Sequence, residues 1–462
     1  MAGDFNQNGQ NAMKWFYFSV TAALVGALGG CGGGGGGGGG GGVPFPILPA
    51  ATLSVTVQVN GSSATANGDG RYSVKPGDVV TVTPSLGSDW SSSSDPAGSV
   101  SLRNPEISSA KWSAQIVNNT NAASLLTVNA KATSNAALSK DTVFNVAAGD
   151  SRNLAYKVFA TNGTQQRLAL NFDTMSYAMT DETGIAVSDS FSADVSQSGT
   201  YVFKSSHTTA ATSRFRLTTD TVVGSFPFQV AQVPNTYAVQ PFIGSRAIVT
   251  TQSALDGIYN RLGINMRPGV LDSQIRQIQV TGGGTSMLLC NEVGITSIAA
   301  CPSTSIATYN VSAGSSAESW STVNAANPND KGAFSVMVIG GKNVYVAAGI
   351  NTVAPNDSIF RIGLLDSPAR LNTTARGGDN YGTWGTFGFD ATTYTAALTR
   401  PDGTISNINY AVNSASPTIP ALASINFGGT DRYFAVQDGT LSAVVGARTN
   451  PVTGYLQIGL VP

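Results

Sequence analysis

AYKVFATNGTQQRLALNF, residues 155–172, decides the fold class. Apolar side chains alternate with polar ones on both sides of Asn162-Gly163. That dipeptide between two period-two runs is a strong short-range hairpin signal, because both residues tolerate the positive φ of a tight turn. The same pattern continues outward. Residues 53–59 (LSVTVQV) alternate strictly, residues 74–84 (VKPGDVVTVTP) place a Pro-Gly-Asp turn before a second alternating strand, and residues 111–117 (KWSAQIV) supply a third. Strands separated by turn clusters predict a β-sandwich over residues 50–172. Residues 88–99 (SDWSSSSDPAGS) are expected to form a mobile loop within it.

The PGDVVTV phrase, residues 76–82, resembles bacterial immunoglobulin-like domains, over about 120 residues and without a Cys…Trp…Cys core. The resemblance implies an immunoglobulin-like sandwich.

Residues 173–462 read as a repeated β-meander with copies at about 255–366 and 380–462. GGKNVYVAAG (340–349) and GGTDRYFAVQ (428–437) each set two glycines before an aromatic-rich strand. FRIGLL (360–365) and LQIGLV (456–461) follow, while GIYNRLGIN (257–265) and GTWGTFGFD (382–390) stand earlier in each copy. This alignment makes Tyr345 equivalent to Tyr433 and Tyr259 to Trp384. NFDTMSYAMTDETG (171–184) echoes GFDATTYTAALTRPDG (388–403), the trace of an older third copy. The class is therefore all-β: a sandwich followed by tandem antiparallel meanders, closed into up-and-down barrels or arranged as a propeller. The Gly-x-Trp opening resembles that of calycin barrels such as lipocalins and avidins over some ten residues.

At the N-terminus, Lys14 precedes a mostly apolar stretch that ends in Leu28-Gly29-Gly30-Cys31. A positive charge, an apolar core and small residues before the cut make a secretory signal, residues 1–30. The four-residue box resembles the lipobox of bacterial lipoproteins. That resemblance implies cleavage before Cys31, a diacylglycerol on its thiol and acylation (a palmitate) on its amine. Gly32 to Gly42 and a proline-rich segment form a tether, residues 31–49, whose glycine part averages roughly 18 Å end to end. Polyglycine at this place resembles uncharacterised envelope lipoproteins of Gram-negative bacteria. A residue other than Asp after the cysteine implies the outer membrane. Cys290 and Cys301 then remain as an even pair in an oxidising compartment, expected to form a disulfide.

Only 11% of the 462 residues are charged, and the net charge is −1. With the basic residues scattered, nucleic acid is not an expected partner. No catalytic residue, metal site or cofactor emerges. The single histidine, His207, lies in a polar stretch, and no Gly-x-Ser-x-Gly exists. Ser108-Ser109-Ala110-Lys111 matches Ser-x-x-Lys, but its partner motifs are missing and Lys111 opens a strand. TGGGTS (281–286) reads as a hairpin turn. Glu292, Asp379 and Asp390 are the acids a glycosidase could use, with nothing in the sequence to pair them. Tyr381 and Trp384, beside glycines, are candidates for a ligand-stacking platform, against a core-packing alternative. The expectation is a lipid-anchored envelope protein with a non-enzymatic binding or structural role and a glycan or envelope protein as partner. The alternatives are a carboxylate-based enzyme acting on glycans and a carrier of small apolar ligands.

Overall fold

A computed structural model describes residues 52–462 apart from 206–212, 230–234, 268–269, 353, 355–356, 414–418 and 450. The signal, Cys31, the tether and His207 lie outside the described residues. Apart from two 3-10 turns, all regular structure among the described residues is β-strand.

A five-stranded and a four-stranded sheet face each other across a core containing Trp112, Ile116, Leu126 and Phe144. The expected loop is instead strand Ser88–Asp95, which pairs along its whole length with Ser124–Ala132. It lies at the sheet edge, so its outward positions can be serine. A run of exposed serines reads locally as loop although the backbone is laddered to its one neighbour.

Three closed eight-stranded antiparallel barrels follow, each with its strands in chain order. The first opens with Ala155–Ala160 and closes with Tyr237–Ser245, the second runs from Gly257–Arg267 to Ser358–Leu365, and the third from Thr374–Asp379 to Leu456–Leu460. In each, the first strand pairs with the eighth, which removes the free edges an open sheet would expose. The sandwich ends at Val146, so the 155–172 hairpin opens the first barrel and does not belong to the sandwich. The echo at 171–184 belongs to a complete barrel, and the third barrel begins at Thr374, ahead of residue 380. The sheets close on themselves and form no propeller blades.

Each barrel has its own interior. The first is packed with aromatic rings, among them Tyr156, Phe203, Phe215 and Phe226. The second holds Tyr259, Trp320, Phe334 and Tyr345, and the third Phe387, Phe389 and Tyr394. A further cluster joins the outer faces of all three: Phe159 and Ile243 of the first barrel, Leu262, Phe360 and Ile362 of the second, and Leu441, Ile458 and Leu460 of the third. This shared core explains two kinds of strand. Leu441–Gly446 and Leu456–Leu460 are buried at every position because both their faces are covered. Ile405–Asn413, with one face to solvent, instead alternates exposed and half-buried positions along its whole length.

Candidate functional site

The third barrel narrows to a cup of about 130 Å³. Its first strand ends at Asp379, and the next turn folds back over that side chain. One carboxylate oxygen of Asp379 accepts the backbone N–H groups of Tyr381 and Thr383, each at 3.0 Å, and the other accepts the Thr383 hydroxyl at 2.6 Å. Burial raises the Asp379 carboxyl above the usual range, against those hydrogen bonds. Tyr394, Tyr410, Tyr433 and Tyr455 line the walls. Tyr410 lies parallel to Tyr433 at 6.3 Å, and Tyr433 meets Tyr455 edge-on at 5.3 Å. The buried Tyr394 hydroxyl donates to Oε1 of Gln457 at 2.8 Å, leaving Gln457 Nε2 without a partner. Burial holds the Tyr394 and Tyr455 phenols well above their ordinary pKa, so both stay protonated donors at neutral pH. The cup therefore offers ring faces, hydroxyls, one desolvated acid and the Arg400 guanidinium, but no nucleophile beside a base.

The three nominated acids do not assemble. Asp379 is the cup's only carboxylate. Asp390 sits in an exposed turn after the strand Trp384–Phe389, bound by Thr392 and Thr393. Glu292 belongs to the second barrel, where it accepts the Ser305 hydroxyl. Two carboxyls within about 5–10 Å, the geometry of glycoside hydrolysis, are not formed by these residues.

The stacking pair is separated as well. Trp384 is 0% exposed, and its ring nitrogen donates to Gln197 of the first barrel at 3.2 Å. It faces outward from its own barrel into a neighbour, so it presents no ring to solvent. Phe387 and Phe389, on the other face of the strand, fill the interior. Tyr381 is 55% exposed and lies parallel to Tyr455 at 6.0 Å. Tyr394, Tyr410, Tyr433 and Tyr455 are not legible as a group in the sequence, because three sit on three different strands and the fourth just before another. Only closure of the barrel brings them together.

Cys290 and Cys301 are joined as a disulfide. The bridge staples the loop between the third and fourth strands of the second barrel. Ser109 and Ala110 form the hairpin turn before Lys111, which pairs with Glu106 at 2.7 Å. The glycines of 281–286 are a hairpin turn whose N–H groups at Gly283 and Gly284 bind the Asp256 carboxylate at 3.0 and 2.6 Å. The place a phosphate would take is filled by the chain's own acid. Among the described residues, no group of three or more His, Cys, Asp or Glu is arranged to hold a metal ion.

No family model and no curated protein matches the chain. Among solved structures, a quinonprotein alcohol dehydrogenase-like protein from Bacteroides thetaiotaomicron matches over 84% of this chain and 95% of that one. The two are 10% identical with a TM-score of 0.15, a level at which neither fold nor activity carries over.

Proposed function

We propose that this protein is a lipid-anchored envelope protein with a non-enzymatic binding role, presenting its folded body from a glycine tether to a glycan or another envelope protein. The observation that carries the non-enzymatic part is the filling of the barrels. Each interior is packed by its own side chains, and the third opens only into a cup of about 130 Å³. Ligand pockets are commonly about 300–1,000 Å³. The cup falls below that range and is lined by hydroxyls and charges, which speaks against a carrier of small apolar ligands, and it holds one acid where a glycosidase uses two. The anchoring part rests on Leu28-Gly29-Gly30-Cys31 and the glycines after it.

Two experiments test the two parts. In a Gram-negative host, the Cys31→Ser chain is expected to leave the membrane fraction and to lose palmitate labelling. Detergent-dependent membrane partitioning of that variant would contradict the anchor. The detergent-solubilised full chain is expected to turn over none of a panel of α- and β-linked glycans or peptidoglycan fragments. Turnover that Asp379→Asn abolishes would replace the binding reading with a catalytic one.

A further inference from the structure

Four arginines gather at one end of the second barrel without a carboxylate among them. Arg261 on the first strand stands directly opposite Arg276 on the second. Arg361 on the eighth strand pairs with Gly263, two residues along from Arg261, so its side chain shares the inner face. Directly opposed side chains on antiparallel strands have Cβ atoms about 5 Å apart, where like charges destabilise. Arg448 reaches in from the third barrel, donating to the backbone oxygens of Val293 and Ile275 at 2.9 and 2.7 Å. Arg276 donates to the neighbouring oxygen of Glu292, so the two guanidinium groups bind successive carbonyls of the disulfide-stapled loop.

Arg361 is 8% exposed and donates to the backbone oxygens of Ile264 and Phe360 and to the side-chain oxygen of Asn265. All its acceptors are neutral. Burial, then repulsion from Arg261, pulls its pKa down to about 9, and burial with Arg448 and Arg261 pulls Arg276 down to about 10. Both remain cations at neutral pH. None of the four forms an ion pair among the described residues.

Arg276, Arg361 and Arg448 have structural duties toward carbonyls and amides. Arg261 has none. Its side chain makes no hydrogen bond among the described residues, its Nε is buried and unpaired, and it is the charge that repels the other three. A partly buried guanidinium with no side-chain partner, set among three other cations, has the chemistry of an anion-binding group.

We propose that this end of the second barrel binds a multiply charged oxyanion, a phosphate group or its sulfate analogue, with Arg261 at the centre and Arg276, Arg361 and Arg448 around it. Guanidinium forks match such oxygens two at a time, and partial burial protects the pairing from salt. The anchor and the non-enzymatic reading are not needed for this site.

The test is a thermal and calorimetric titration of the detergent-solubilised full chain with sodium phosphate, sulfate and chloride at constant ionic strength. A saturable rise in Tm with phosphate or sulfate is expected, and none with chloride. Arg261→Gln is expected to weaken phosphate binding at least tenfold while raising the Tm of the anion-free protein, because a repulsion is removed. Arg103→Gln, on the sandwich, should leave both unchanged. Glycerol 1-phosphate separates the sources: binding as tight as phosphate indicates a phosphate monoester such as a headgroup, and much weaker binding a free anion. If phosphate acts no differently from chloride on the wild-type chain, the proposal falls, whether or not the variant folds. It falls equally if Arg261→Gln binds phosphate unchanged, or lowers the anion-free Tm while leaving the phosphate response intact.

Discussion

At the scale of single residues, the unusual composition has a definite use. Many turns are closed by an Asp or Asn whose side-chain oxygen accepts both the N–H and the hydroxyl of a Thr or Ser two residues on. Asn162 does this with Thr164, Asp181 with Thr183, Asp194 with Ser196, Asp402 with Thr404 and Asp438 with Thr440. Asn, Asp, Ser and Thr thereby do locally what ion pairs do elsewhere, which is how a chain with 11% charged residues holds so many turns. These turns set a pH dependence. Thr393's hydroxyl, with the N–H groups of Thr392 and Thr393, draws the Asp390 carboxyl down to about 2, and Asp181 and Asp402 shift the same way. A carboxyl depressed in the fold contributes stability above its unfolded pKa of about 3.9 and loses it as pH falls through the folded value. Thermal melts are therefore expected to show Tm falling between about pH 4 and 2, less steeply for Asp390→Asn. Asp379 has the opposite sign. Its carboxyl is raised by burial, so its contribution is complete at low pH and is lost as pH rises through the raised value. The Tm of Asp379→Asn relative to wild type should therefore improve from pH 4 to 8, and a constant difference would contradict the buried-acid account. Trp384 and Tyr381 separate packing from ligand stacking. Trp384→Ala should cost about 3–5 kcal/mol in denaturant unfolding, whereas the exposed Tyr381→Ala should stay within about 0.5 kcal/mol.

At the scale of elements, the alternation of residues 155–172 makes the hairpin legible down to its Asn-Gly turn, but not the sheet it joins, which is the first barrel and not the sandwich. Local pattern specifies a hairpin, while the sheet it joins depends on the distant strand Tyr237–Ser245. The glycine landmarks misled for a physical reason. Gly340-Gly341 turns between the sixth and seventh strands of the second barrel, and Gly428-Gly429 between the fifth and sixth of the third. All four have positive φ, which any tight hairpin can demand, so a glycine pair marks a turn and not a place in a barrel. Tyr345 and Tyr433 consequently lie on the seventh and sixth strands, and Tyr259 and Trp384 on the first and second, so neither pair is equivalent. FRIGLL and LQIGLV do match, both as eighth strands, and the first barrel repeats the motif as Phe242-Ile243-Gly244. There the isoleucine enters the shared core and the glycine faces inward; a Cβ on Gly459 would stand 2.6 Å from the Phe387 ring. The echo of 171–184 in 388–403 was sound, for Tyr177 and Tyr394 both lie on third strands and both point inward. At this scale the disulfide also makes a quantitative claim. The Cys290–Cys301 bridge closes a loop of about a dozen residues, for which chain entropy gives roughly 3 kcal/mol. Replacing both cysteines with serine should lower unfolding free energy by about that amount. A change below about 1 kcal/mol would mean that Arg276 and Arg448, which grip the same loop, already order it.

At the scale of the whole molecule, three barrels are joined through outer faces that an isolated up-and-down barrel would give to solvent. Ile362 and Ile458 are both 0% exposed in that shared core, although each points out of its own barrel. Ile362→Ala should cost about 2–5 kcal/mol, as in a barrel interior, whereas a solvent-facing strand position would cost almost nothing. This core was not legible in the sequence. Strands buried on both faces lose the alternation that reveals one buried face, and which neighbour covers the second face is a tertiary fact. Filled barrels on a common core form a block suited to display, and under the proposed function that display hangs on Cys31. The most direct measurement is the mass of the N-terminal peptide of the chain purified from bacterial membranes. The account requires a peptide beginning at Cys31 and carrying a diacylglycerol and an amide-linked acyl chain. An unmodified Cys31 within a longer peptide, or a mature terminus beyond it, would contradict it.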